Sequence, residues 1–103
     1  MAFAFFQEFN VTDNDRSTTN YDTVAERLDV ASNPPGGMIA HTAGWDEENG
    51  TFRIFDVWES REDFDRFWQE RLQPALDELM PQFENANPPD REGKYELHDV
   101  SKG

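Results

Sequence analysis

Two rhythms of apolar and polar residues run along this chain. "AFAFFQEF" (Ala2 to Phe9) is apolar at both odd and even positions, which reads as a strand buried on two faces. "NVTDNDRSTTN" is loop chemistry. From about Asn20 to Ala31 the period changes: Tyr21, Val24, Leu28 and Ala31 recur at steps of three and four, the stripe of an amphipathic helix. "SNPPGG" (Ser32 to Gly37) ends it, because consecutive prolines cannot continue a helix. Met38 to Trp45 reads as a second strand. "DEENG" reads as a hairpin loop whose Asn49-Gly50 pair accepts positive φ. Thr51 to Glu59 reads as a third strand. Ser60 then caps a second helix, with Asp63 three residues on. Phe64, Phe67, Trp68 and Leu72 make its apolar stripe. Pro74 allows a kink, and Leu76, Leu79 and Met80 carry the stripe to about Phe83. "ENANPPDREG" is an exposed connection, and "KYELHDV" (Lys94 to Val100) is a last strand.

The order β-α-β-β-α-β specifies an α+β, ferredoxin-like domain spanning 1–103: a four-stranded antiparallel sheet with both helices on one face. That order raises a physical problem. The first strand is apolar on both sides, and the third has Phe55 and Val57 on one parity, Ile54 and Trp58 on the other. Two helices cover one face. The other needs a cover, since soluble monomers rarely expose large apolar patches. A second copy of the chain, docked by a two-fold contact, is the simplest one, so a homodimer is expected.

The loop length fixes a pairing within the hairpin. If Asp46 and Thr51 flank a four-residue loop, Trp45 faces Phe52, Ala43 faces Ile54, His41 faces Asp56 and Ile39 faces Trp58. All eight then share one face of the sheet. Phe55 and Val57 take the other, which suits helix packing. On this reading His41 and Asp56 lie on the face that the helices leave bare. Dimerisation would close that face into a chamber lined by Ile39, Ala43, Ile54 and Trp58, with Trp68 of the second helix as core or pocket wall. Asp56 would orient the His41 imidazole and raise its pKa, and His41 would serve as base or hydrogen-bond donor. The bland reading is a cross-strand pair that keeps two sheets in register. No serine or cysteine nucleophile stands beside the pair.

Charge narrows the partners. The chain of 103 residues carries 22 acidic and nine basic residues, net -13. Such a surface repels phosphate backbones and anionic membranes, so neither nucleic acid nor a membrane is an expected partner. Cysteine is absent, which removes disulfides and thiolate metal sites. "MAFAFFQEFN" lacks the basic segment and cleavage site of a signal peptide, and its apolar run is too short to span a bilayer. A soluble cytoplasmic protein is expected. A metal site from His41, His98 and a carboxylate has no supporting spacing, and "PPGG" precedes a strand and not a helix, so it is no phosphate loop.

The stretch "GGMIAHTAGWDEENGTFRIFDVWESREDFDRFWQERLQPAL" resembles the small dimeric α+β barrel proteins, in particular uncharacterised bacterial relatives of the antibiotic biosynthesis monooxygenase family. The pieces that carry the resemblance are Gly37, His41 to Gly44, "DVWES" (Asp56 to Ser60), "FDRF" (Phe64 to Phe67) and "RLQPAL" (Arg71 to Leu76). It implies two sheets facing each other in a dimer, with a cleft in each protomer between its sheet and its helices or the partner. The superfamily spans cofactor-free monooxygenases acting on aromatic polyketides, haem-degrading enzymes, dehydratases, isomerases and members without known activity. The haem-degrading branch uses a histidine on the second helix; Arg61 to Phe83 has none, so the resemblance does not extend to haem. In quinone-forming members aromatic and amide residues position a phenol, a part Trp58, Trp68 and Tyr95 could play only loosely.

Three functions follow as expectations. One is an enzyme without cofactor or metal, monooxygenase-like, acting on an aromatic or polyketide-like compound through His41 and Asp56. Another is a non-catalytic dimer holding an apolar metabolite. The last is a structural accessory dimer whose cavity is filled by its own side chains. An empty volume of about 300 Å³ or more separates the last from the others.

Overall fold

The computed structural model describes residues 1–11, 18–83 and 87–101. Strands β1 (Phe3–Asn10), β2 (Met38–Asp46), β3 (Thr51–Trp58) and β4 (Arg91–Glu96) form one antiparallel sheet in the order β2-β3-β1-β4. Helix α1 (Thr19–Leu28) links β1 to β2. After β3, α2 (Arg61–Phe67) runs through a π turn (Trp68–Leu72) into α3 (Gln73–Leu79) and a 3₁₀ turn (Met80–Gln82). This is the expected ferredoxin-like α+β arrangement.

One face of the sheet holds the core. Phe3, Phe5 and Trp58 point to it, and α2 lays Phe64 and Phe67 upon them. Phe3, Trp58 and Phe64 are fully buried. Phe64 tilts against Phe3 and Phe5 at 5.5 and 4.7 Å, and Trp58 against Phe67 at 5.1 Å. Each such side chain stabilises the fold by roughly 1.5–3 kcal/mol through burial.

The helices therefore cover the face opposite to the one assigned from the sequence. The registers Phe3↔Trp58 and Phe5↔Asp56 put Asp56 and Trp58 together with the buried aromatics of β1. Phe55, Val57 and Phe6 point away, beside Tyr95, whose ring meets that of Phe6 at 6.4 Å. The bulk decides it: two phenylalanines of β1 and an indole of β3 fill the layer beneath the Phe64–Phe67–Trp68 stripe. On the other parity β1 offers one large ring, Phe6, beside the methyl of Ala4.

Local chemistry accounts for the boundaries. Asp29 enters the left-handed region (φ 48°) and ends α1 three residues earlier than expected. Ser60 caps α2 as expected, its Oγ accepting from the Asp63 N–H at 3.1 Å. Pro74 lacks an N–H and its ring crowds the carbonyl four residues earlier; the helix widens just before it, with the Gln73 N–H donating to the Trp68 carbonyl. Gly50 supplies the positive φ of the hairpin (63°), while Asn49 donates its N–H to Asp46. Gly93 lies under the ring of Phe6, where a Cβ would collide with it. That seat sets β4 at Arg91–Glu96, ahead of the expected Lys94–Val100. The expected loop after β1 lies outside the described residues at 12–17, and the connection before β4 does so at 84–86.

Helix α1 is tied to the second helix by polar contacts. Arg71 donates to the carbonyls of Leu28 (2.6 Å) and Asn33 (2.9 Å), and Arg27 pairs with Glu78. These ties hold the C-terminal end of α1, the helix that carries Tyr21 in its first turn, to the second helix.

Candidate active site

Three residues from three elements meet on the helix-covered face. The register of β2 with β3 sets His41 opposite Asp56, and it pairs Ala43 with Ile54 and Trp45 with Phe52. The His41 Nδ1 lies 2.6 Å from Asp56 Oδ1, and its Nε2 lies 2.7 Å from the Tyr21 hydroxyl. Tyr21 comes from the first turn of α1. The sequence counted it as part of an apolar stripe. Its signal was available in principle, since a tyrosine carries a polar tip that seeks a partner when its ring packs inward.

The electrostatics follow from this geometry. Asp56 is nearly enclosed, its side chain 6% exposed, and His41 is 27% exposed. The hydrogen bond to Asp56 raises the His41 pKa above its ordinary value; burial opposes this, and the Asp56 charge adds to it. Tyr21 is pushed up first by burial, then by the charges of Asp56 and Asp22, so its hydroxyl stays protonated. In the neutral imidazole, Nδ1–H donates to the carboxylate and Nε2 accepts from the phenol. A proton arriving at Nε2 is held by the carboxylate behind it. The arrangement is thus a proton acceptor with a fixed tautomer.

The remaining predicted residues are scattered. Trp58 is 0% exposed and belongs to the core, so it has no surface for a ligand. Ile39 does not face Trp58: a bulge between Met38 and Ala40 gives that place to Met38. Ile54 is part-buried beside Asp56, and Ala43 is exposed at the hairpin. Trp68 lies 6.0 Å from Phe5 and donates its indole N–H to Gln73 at 3.0 Å. Lys94 stands 5.6 Å from the rings of both Trp68 and Phe64. Tyr95 is 45% exposed on the far face, away from the triad. Among the described residues no group of three or more His, Asp or Glu is placed to hold a metal ion.

The chamber expected on the bare face is not an enclosed one. An open hollow of about 650 Å³ runs along that side of the hairpin, between Thr42, Gly44, Arg53 and Phe55, and a smaller one of about 200 Å³ lies between Pro35 and Arg71. Neither is lined by His41 or Asp56. The triad, unlike either hollow, joins a titratable group to a buried carboxylate.

Solved structures place this architecture. A protein from Chloroflexus aurantiacus assigned to the antibiotic biosynthesis monooxygenases superposes with a TM-score of 0.65 at 14% identity, over 99% of this chain and 98% of that one. SnoaB, a cofactor-independent oxygenase from Streptomyces nogalater, gives 0.64 at 16%, over 96% and 95%. NE2512, a protein of unknown function from Nitrosomonas europaea, gives 0.68 at 20%, over 99% and 94%. The chain has the antibiotic biosynthesis monooxygenase-like fold. At these identities the likeness is one of fold. No protein-family model matches the sequence, and no curated protein does. Among the described residues, no helix is long and apolar enough to cross a membrane.

Proposed function

We propose that this protein is a small-molecule enzyme of the cofactor-independent monooxygenase type, acting in the cytoplasm on an aromatic or polyketide-like compound. One observation carries the reading: His41 is held between the buried Asp56 carboxylate and the Tyr21 hydroxyl, at 2.6 and 2.7 Å. A histidine so placed accepts a proton from a weakly acidic substrate, and the carboxylate stabilises the imidazolium that results. The electron-rich substrate anion then reacts with dioxygen. For a substrate CH₂ oxidised to C=O, one oxygen atom enters the product and the other leaves as water. SnoaB, a cofactor-independent oxygenase of matching fold, supports the reaction class. The working assembly is a homodimer whose sheets meet through the face carrying Phe6, Phe55 and Val57. Oxygen uptake with a panel of polycyclic phenols tests the reading. Uptake by the wild type that falls about 10²-fold or more in His41→Ala supports it, and equal uptake by the wild type and His41→Ala sinks it.

A second reading draws on the same hydrogen bonds. Both ring nitrogens of His41 are satisfied within the protein, so the triad also serves as a strut tying α1 to β2 and β3. In that case the protein is a non-catalytic ligand-binding or accessory dimer. His41→Ala then lowers thermal stability and leaves the affinity for any retained metabolite within a few-fold.

A further inference from the structure

The triad has an order, and the order determines which atom meets the substrate. His41 Nδ1 is taken by Asp56 at 2.6 Å and Nε2 by Tyr21 at 2.7 Å. The imidazole thus has no free nitrogen, although its ring edge is part-exposed. A substrate proton has no open lone pair to reach on His41. It does have one on Tyr21: the hydroxyl donates its hydrogen to Nε2 and keeps lone pairs on Oη for an incoming donor. The tyrosine ring is fixed from two sides. It lies end-on to the His41 ring and nearly in its plane, 9° apart with centroids at 6.3 Å, and it meets the edge of Phe52 at 5.4 Å. Phe52 in turn meets Trp45 at 5.0 Å. The three rings make a part-buried aromatic ledge from the hydroxyl toward the hairpin.

We infer that Tyr21 is the catalytic residue that touches the substrate, with His41 as the acceptor behind it and Asp56 as the anchor. The inference rests on the proton-transfer reading above and adds a residue to it. The step balances. The substrate O–H bond breaks and its proton goes to Tyr21 Oη as the Tyr21 O–H bond breaks and that proton goes to His41 Nε2. The products are a substrate anion, an unchanged tyrosine and an imidazolium hydrogen-bonded to Asp56. Among the described residues, the charges of Asp56 and Asp22 act on the Tyr21 hydroxyl. A neutral hydroxylated ring is therefore accepted, and a carboxylated one is repelled.

The test needs no knowledge of the natural substrate. The chain has two tyrosines, so protein carrying ¹³C at the tyrosine ζ position gives two signals, and Tyr21→Phe assigns them. Addition of 2-naphthol is expected to move the Tyr21 signal and leave that of Tyr95 in place. Its methyl ether is expected to bind about tenfold more weakly, the worth of one hydrogen bond, and 2-naphthoate more weakly still. Turnover of a responsive phenol is expected to fall about 10²-fold in Tyr21→Phe with KM within a few-fold, and to be equally low in His41→Gln. An unmoved Tyr21 signal, ether binding equal to naphthol binding, or full turnover in Tyr21→Phe overturns the inference. Full turnover in Tyr21→Phe with loss in His41→Ala overturns it while leaving the proposed function standing. Absence of oxygen uptake by the wild type overturns that function, and the naphthol titration still decides the place of Tyr21.

Discussion

His41 on β2 and Asp56 on β3 face each other in register, with 2.6 Å between Nδ1 and Oδ1. The carboxylate is nearly sealed from solvent, and the imidazole is the partner the structure gives it there. Asp56→Asn keeps the shape and removes the charge. It is expected to cost about 1–3 kcal/mol of folding stability, the range for a buried polar group left poorly paired. It should also lower the His41 pKa, because a neutral amide favours the imidazolium less than the carboxylate does. Urea unfolding and histidine NMR titration measure the two effects separately. Unchanged stability with an unchanged His41 titration would show that the pair is not coupled.

The direction of the His41 shift gives a pH dependence. The group binds its proton more tightly folded than unfolded. Its contribution to stability is full below the unfolded pKa of about 6.5 and disappears as pH rises through the higher folded value. Unfolding free energy attributable to the pair should therefore decline above about pH 6.5, and the decline should be absent in His41→Gln. Turnover should run the opposite way, rising as the imidazole loses its proton. Paired stability and rate profiles check both signs.

Gly37 sits at φ +85°, and a Cβ there would overlap the Asp63 carboxyl group. Its carbonyl accepts from Glu59 N–H at 2.7 Å, which seats the start of β2 against the end of β3. Gly37→Ala is expected to destabilise by about 1–3 kcal/mol. The adjacent Gly36 has open space around its Cβ position and no left-handed φ, so Gly36→Ala should be neutral or slightly stabilising. Thermal melts of the two variants, one residue apart, make the comparison.

The proposed homodimer buries the face bearing Phe6, Phe55 and Val57. Val57→Asp sets a charge in its middle without touching the helix-side core. It should convert a dimer to monomers at micromolar concentration by sedimentation, with the far-ultraviolet circular dichroism of the fold retained. A wild type that sediments as a monomer at that concentration would remove the proposed assembly.

Much of this molecule is legible from spacing alone. The loop between Asp46 and Thr51 fixes a register, and three of the four cross-strand pairs read from it stand in the structure. The fourth fails because a bulge inserts Ile39, and no residue type near it marks a bulge. The choice of covered face was not legible either. Phe55 with Val57 and Ile54 with Trp58 are comparably apolar. Only the fit of Phe3, Phe5 and Trp58 beneath the α2 stripe decides between them, and that is a property of assembled layers. Tyr21 stayed hidden because a tyrosine on a helical stripe looks like any other ring until the tertiary fold brings an imidazole to its hydroxyl.

The bulge at Ile39 also bears on how the strand can change. Met38 and His41 both face the helices, although three positions separate them, an odd step that a regular strand would send to opposite sides. One irregular residue thus uncouples the anchor that closes the hydrophobic layer from the histidine farther along. Insertions or deletions at this joint alter the address of the N-terminal anchor and leave His41 where it is, so the strand can be re-cut at one end with the His41–Asp56 pairing untouched.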